Sequence, residues 1–198
     1  MRIIRTQYFT ESQVFFQGEE FAAIQSELET AIRAVSWYED NRFIINPVRK
    51  ANGVNPIKRN FIYHLESKGW LAEEKLSLIE GMSPGPIDAV KRTSQGIFAV
   101  EWETGNISSS HRALNKIALG IIQKQLIGGI LVLPTRNLSR FLTDRVGNYE
   151  EIAPYFAMYR AMDIKNGIMG VIAVDYDDTS ELAPLIPKGK DGNADKSE

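Results

Sequence analysis

A long amphipathic stretch leading into a short, wholly apolar run constrains this chain more than any other feature. From Ile107 to Gln123, the residues Ile107, Leu114, Ile117, Ala118, Ile121 and Ile122 form one stripe at helical spacing. Gly128 to Pro134 (Gly-Gly-Ile-Leu-Val-Leu-Pro) then reads as a buried strand between turn signals, and Gly167 to Tyr176 reads as another. Upstream, Ile87 to Lys91 and Ile97 to Trp102 are strand-like, joined by the polar turn Arg92 to Gly96. Glu19 to Trp37 is predicted to be a first helix, with Phe21, Ile24, Leu28, Ile32 and Val35 at helical spacing. Residues 38–53 are turn-rich around Phe43-Ile44-Ile45. Pro56 opens a second helix that ends near Gly69, and Gly81-Met82-Ser83-Pro84-Gly85-Pro86 is a loop. Thr135 to Thr143 and Tyr149 to Tyr159 read as helical, with Pro154 working against the second. Strands alternating with helices give an α/β class, a central mixed β-sheet flanked by helices on both faces. With no repeat and no break in composition, the expectation is a single domain over residues 1–198, with 188–198 as a flexible polar tail.

Composition removes several chemistries. The chain has no cysteine, so disulfides and thiolate metal sites are excluded, which fits a reducing, cytoplasmic setting. Met1-Arg2-Ile3-Ile4-Arg5-Thr6-Gln7 lacks the apolar run of a signal peptide, and no stretch reaches transmembrane length, so no membrane partner is expected. The formal net charge of −2 counts against a nucleic-acid partner on the simplest test, although whole-chain charge says little about local patches.

The segment richest in chemistry is Pro86-Ile87-Asp88, followed by Ala99-Val100-Glu101-Trp102-Glu103. On a strand over 97–103, Glu101 and Glu103 project from one face, about 7 Å apart, while Phe98, Val100 and Trp102 face the core. With an aspartate from a neighbouring strand they would make an oxygen-rich site for a hard cation such as Mg2+. Such an ion polarises a phosphodiester and lowers the pKa of a water. In an arbitrary chain the same triplet more often marks a solvated strand face. An inverting glycosidase pair is a further alternative, but its carboxylates should flank a cleft rather than share a strand face.

Thr104-Gly105-Asn106-Ile107-Ser108-Ser109-Ser110-His111-Arg112 leads from that strand into the long helix. Asn106 and Ser108 are good caps, and the same helix start would suit a phosphate. His111 and Arg112 could cap, pair with an acid or touch DNA. Asp144-Arg145 is either a surface ion pair or a pair of base readers, since arginine can donate twice to guanine while aspartate accepts from the cytosine amino group.

Taken together, these stretches resemble the BamHI-type restriction endonucleases, within the wider PD-(D/E)xK nuclease group. The matches run in order through Gly53-Val54-Asn55-Pro56-Ile57-Lys58, Gly85-Pro86-Ile87-Asp88, Glu101 to Ser109, His111-Arg112 and Asn115-Lys116. They continue through Leu142-Thr143-Asp144-Arg145-Val146, Glu150-Glu151, Pro154-Tyr155-Phe156 and Pro184 to Gly189, with Asp191-Gly192 just after. The resemblance spans roughly residues 50 to 192 and implies a restriction-endonuclease-like core with Mg2+ as cofactor and no nucleotide cofactor. It implies Asp88 and Glu101 as metal-binding carboxylates, the Trp102 carbonyl as an extra ligand, and Glu103, where the wider group carries lysine, as activator of the attacking water. Glu73 is the fourth acidic candidate, with Glu74 as its alternative. Asn106, Ser108, Arg112, Asp144 and Arg145 are implied major-groove contacts, and Asp191 and Gly192 lie near the minor groove. The implied partner is double-stranded DNA, cut at GGATCC after the first G to leave 5′ overhangs. A palindrome read by identical subunits implies a C2 homodimer. A DNA-binding module without catalysis is the alternative function. Two departures stand out. Ile121-Ile122-Gln123-Lys124 lacks the charged pair expected at the end of the dimer helix, which predicts a more apolar interface, and the chain stops soon after Asp191, which predicts a short minor-groove arm.

Overall fold

The computed structural model describes residues 1–10, 18–76, 85–143, 145–162, 164 and 167–189. Its strands are β1 (Arg2–Thr10), β2 (Tyr38–Glu39), β3 (Arg42–Ile45), β4 (Leu71–Glu74), β5 (Ile87–Arg92), β6 (Ile97–Trp102), β7 (Gly128–Pro134), β8 (Ile168–Asp175) and β9 (Asp178–Thr179). Its helices are α1 (Glu19–Ala34), α2 (Asn55–Glu66), α3 (Ile107–Ile122), α4 (Arg136–Ser139), α5 (Tyr149–Ile152) and α6 (Phe156–Arg160), with a 3-10 turn over Ala153–Tyr155. The main sheet has the order β1-β8-β7-β6-β5-β4. β6, β7 and β8 run parallel, while β5 and β4 on one side and β1 on the other pair antiparallel. A small second sheet joins β2, β3 and β9.

Side chains on the central strands alternate between two cores. Phe98, Val100 and Trp102 of β6, with Ile130 and Val132 of β7 and Ile172 of β8, pack against Phe21, Ile24 and Leu28 of α1 and Ile57 and Phe61 of α2. Ala99, Leu131, Leu133, Val171 and Ala173 face the other way, onto Leu114, Ile117 and Ile121 of α3 and onto Ile152, Phe156 and Tyr159. Helices therefore cover both faces, and that is why β7 and β8 are buried along their whole length. Gly129 lets α3 come this close, since a Cβ there would lie 2.8 Å from Ile117 Cγ2.

Several boundaries differ from the expectations. α1 stops at Ala34 because Trp37 turns into a hairpin, its amide donating to the Arg42 carbonyl at 2.9 Å. The helix expected over Thr135–Thr143 shrinks to α4, and the one over Tyr149–Tyr159 breaks into α5, the 3-10 turn and α6 around Pro154. Ile122, assigned to the buried stripe of α3, is 52% exposed. β1 and β4 were not foreseen as strands. Most of the loop expected over 81–86, and most of the tail from Lys188, lie outside the described residues. Among the described residues no helix is long and apolar enough to cross a membrane.

Candidate active site

The acidic residues meet where the antiparallel ladder of β5 and β6 ends. Ala89 pairs with Val100, and one step further along the same register stand Asp88 and Glu101. There the side chains take over from the backbone ladder. Asp88 Oδ2 accepts from the Trp102 amide at 2.8 Å, and Glu101 Oε2 lies 3.4 Å from the Asp88 amide. Glu103 extends β6 by one more bond, its amide donating to the Val132 carbonyl at 2.8 Å. Asp88, Glu101 and Glu103 are 8%, 6% and 5% exposed, so the solvated-strand alternative does not hold.

Burial of three carboxylates requires compensation. Lys58, in the first turn of α2, places its ammonium 2.6 Å from Asp88 Oδ1 and 3.5 Å from Glu73 Oε1. Lys116, from α3, pairs with Glu101 Oε1 and donates to the Pro86 carbonyl at 2.9 Å. The Lys116 ammonium thus lies directly against a buried carboxylate oxygen. Glu103 is held differently. Its Oε1 accepts from the Gly105 amide at 2.6 Å and its Oε2 from the Ser110 hydroxyl.

These surroundings set the proton affinities. Burial, then the charge of Asp88, pushes the Glu101 carboxyl up from 4.5 to about 7 against the opposing pull of Lys116. Burial also raises Glu103, and the bonds from Ser110 and from the Gly105 and Thr104 amides offset part of that rise. Burial pulls Lys58 down, but Asp88 and Glu73 hold it above its ordinary value.

The carboxylates open onto a cleft of about 450 Å³, lined also by Lys58, Arg112 and Lys116. The available donors are hard oxygens, the chemistry that suits Mg2+. Two ammonium groups face three buried carboxylates, an excess of acidic oxygens that fits a divalent cation. As they stand, no three metal-binding side chains among the described residues are gathered tightly enough to cage an ion. Of the two upstream candidates, Glu73 reaches the site through Lys58, whereas Glu74 turns to Arg92 at 3.8 Å. Glu73 has a φ of 51°, a left-handed conformation rare for its residue type.

Asn106 caps α3, its Oδ1 accepting from the Ser108 and Ser109 amides at 3.0 and 3.3 Å, and Asn106 and Ser108 are exposed beside the cleft entrance. Arg112 and Arg145 are exposed and form no ion pair with a described residue, and Arg145 has a φ of 59°. His111 instead meets the Tyr159 hydroxyl at 2.8 Å. Asp144, Asp191 and Gly192 lie outside the described residues. The reading of the sequence missed Lys58, Lys116 and Ser110. Ser110 carried a signal, because it stands four residues before Leu114 and seven before Ile117, at the polar head of an otherwise apolar stripe.

Comparison with known proteins finds relatives along most of the chain. Residues 1–193 match the family model described as restriction endonuclease BamHI. The chain is 48% identical over 172 residues to the type II restriction enzyme OkrAI of Oceanobacter kriegii, covering 86% of this chain and 89% of that protein. It is 36% identical over 181 residues to the type II restriction enzyme BamHI of Bacillus amyloliquefaciens, covering 87% and 83%. Among solved structures, the restriction endonuclease BglII complexed with a DNA 16-mer superposes with a TM-score of 0.63 at 12% identity, covering 89% of this chain and 79% of that one.

Proposed function

This chain belongs to the BamHI restriction endonuclease family, and from that premise we propose that it cuts double-stranded DNA at GGATCC, after the first G of each strand, as a C2 homodimer with Mg2+. The family makes it a type II restriction enzyme, a site-specific deoxyribonuclease. The observation that carries the mechanism is the buried acidic set at the end of β5 and β6, opening onto a cleft that α3 borders with Arg112.

In this mechanism Asp88, Glu101 and the Trp102 carbonyl would hold the ion, with Glu73 as a further acidic candidate. Bound there, Mg2+ would polarise the scissile phosphodiester and stabilise the leaving oxygen. Glu103 takes the proton of the attacking water. A buried carboxylate with a raised pKa is a better proton acceptor than a solvated one, and its two neutral hydrogen bonds fix where that acceptor points. Lys58 and Lys116 compensate Asp88 and Glu101 and keep the acids folded inward. Arg112 and Arg145, with no acidic partner among the described residues, are available to DNA, as are the exposed Asn106 and Ser108 at the cap of α3. Asp144 completes the major-groove set, and Asp191 and Gly192 the minor-groove contact. The whole of 1–198 acts as one nuclease domain.

The test is to incubate plasmid with the protein in Mg2+ and in chelator, then sequence the ends. Mg2+-dependent fragments ending in 5′-GATC support the proposal. Metal-dependent ends at another sequence would refute the target but keep the nuclease, and binding without cutting would leave a DNA-binding module.

A further inference from the structure

We infer that Ser110 is a positioning residue for cleavage, its hydroxyl acting with the Gly105 amide to hold the Glu103 carboxylate toward the reacting water. This rests on the proposed function in one respect only, that Glu103 accepts the water's proton.

The argument starts from how differently the three acids are held. Asp88 faces the Lys58 ammonium and Glu101 faces that of Lys116, whereas both oxygens of Glu103 accept from neutral donors and no described cation pairs with it. A hydroxyl and an amide, each bonded to a different oxygen, fix the plane of the carboxylate. Glu103 is therefore aimed by two directed donors, whereas Asp88 and Glu101 are each compensated by an ammonium.

Ser110 is fully buried in α3, at a position where the helix otherwise presents Leu114 and Ile117 to the core. A buried hydroxyl costs free energy unless its hydrogen bond is made, so this serine is tied to its partner. The space for it is set by Gly147: a Cβ there would lie 2.4 Å from Ser110 Oγ, and the Gly147 amide donates to the Gly105 carbonyl at 2.8 Å. The segment that carries Arg145 is thus seated against both groups that hold Glu103.

The test compares Ser110→Ala, which removes the hydroxyl, with Ser110→Cys, which keeps the size but donates weakly. Single-turnover cleavage is measured on a duplex whose target the end sequencing has defined. DNA affinity is measured in chelator, and thermal stability alongside. A group displaced from its working position costs roughly ten- to hundredfold in rate, so both variants should cleave that much more slowly. DNA affinity should stay within about twofold of the parent in both. A cysteine variant that cleaves at the parental rate would show that Ser110 only fills space, and a parallel fall in rate, affinity and stability would show the same. Glu103→Gln is the control: if it is fully active, the role of Glu103 itself is lost. If it is inactive while Ser110→Ala and Ser110→Cys cleave normally, only the assignment of Ser110 is lost.

Discussion

Replacing Glu101 by glutamine should make the metal-free protein more stable at pH 8 while removing its cleavage. Glu101 is 6% exposed, and burial, followed by the charge of Asp88, pushes its carboxyl from the ordinary 4.5 to about 7, with Lys116 pulling the other way. A carboxyl raised in the folded state adds stability that is fully present below pH 4.5 and is lost as the pH rises through about 7. At pH 8 the ionised side chain therefore costs the fold about 3 kcal/mol relative to its neutral form. Glutamine has the same shape and stays neutral, so Glu101→Gln should recover about 1–3 kcal/mol at pH 8, the lower end allowing for an imperfect amide contact with Lys116. For a protein of this size that is roughly 3–10 °C in Tm. The assay is thermal unfolding in chelator from pH 4 to 8.5. The two proteins should melt together at the acid end and diverge above pH 7, and Mg2+ should raise the Tm of the parent but not of the variant. A Glu101→Gln protein less stable than its parent at pH 8, or a difference that does not depend on pH, would refute the reasoning.

Asp88→Asn should leave DNA affinity within about threefold of the parent and reduce cleavage by at least roughly a hundredfold in a Mg2+ time course. Arg145→Ala should weaken specific binding by about 1–3 kcal/mol for each guanine it reads, with non-specific binding measured by competition far less affected. In Gly53→Ala the new Cβ would stand 1.8 Å from the Pro187 carbonyl oxygen, so urea unfolding should show a loss of about 2–3 kcal/mol without any direct effect on the acidic site. Leu119 and Ile122 of α3 are 38% and 52% exposed. Ile122→Asp should therefore shift the proposed dimer toward monomer by about a hundredfold in Kd in sedimentation equilibrium, and an unchanged dimer would exclude this face as the interface.

What the sequence revealed of the fold followed its periodicities. β6, β7, β8 and α3 were legible because their burial is two-sided or striped, and side-chain type records that directly. β1 was not, since none of its first seven residues is buried and only Phe9 and Thr10 are; its pairing with β8 makes it a strand. β4, Leu-Ala-Glu-Glu, carries no strand pattern at all and depends on β5. In the site, Asp88, Glu101 and Glu103 were legible because acids on one face of an otherwise apolar strand need a reason to be there. Lys58 and Lys116 were not, because each arrives from a helix distant in sequence, and no local spacing records which carboxylate a flexible ammonium will find. Asn106 had two open roles; its cap is seen in the structure, while its amide group remains available for a base.

The order of residues from Glu101 to Arg112 also bears on how recognition and cutting are joined. β6 ends at Trp102, Glu103 adds one last ladder bond to Val132, and α3 begins at Ile107 under the Asn106 cap. Two of the proposed acids, Glu101 and Glu103, and four proposed contacts with DNA or with Glu103 (Asn106, Ser108, Ser110 and Arg112) therefore occupy a single strand–turn–helix unit. With about 3.6 residues per helical turn, Arg112 stands less than two turns from the start of α3, a fixed offset that no domain motion needs to create. Two backbone anchors make that offset rigid: Glu103 to Val132 on the sheet side, and Gly147 to Gly105 on the side of the Arg145 segment. In the proposed enzyme the distance between the base that is read and the bond that is cut is then a property of each subunit's own chain. The two-fold axis sets only the spacing between the two cuts. A substitution that loosens the dimer should accordingly slow double-strand cleavage without moving the nick on either strand, whereas one that shifts the Gly105 turn should blur the position of the nick itself.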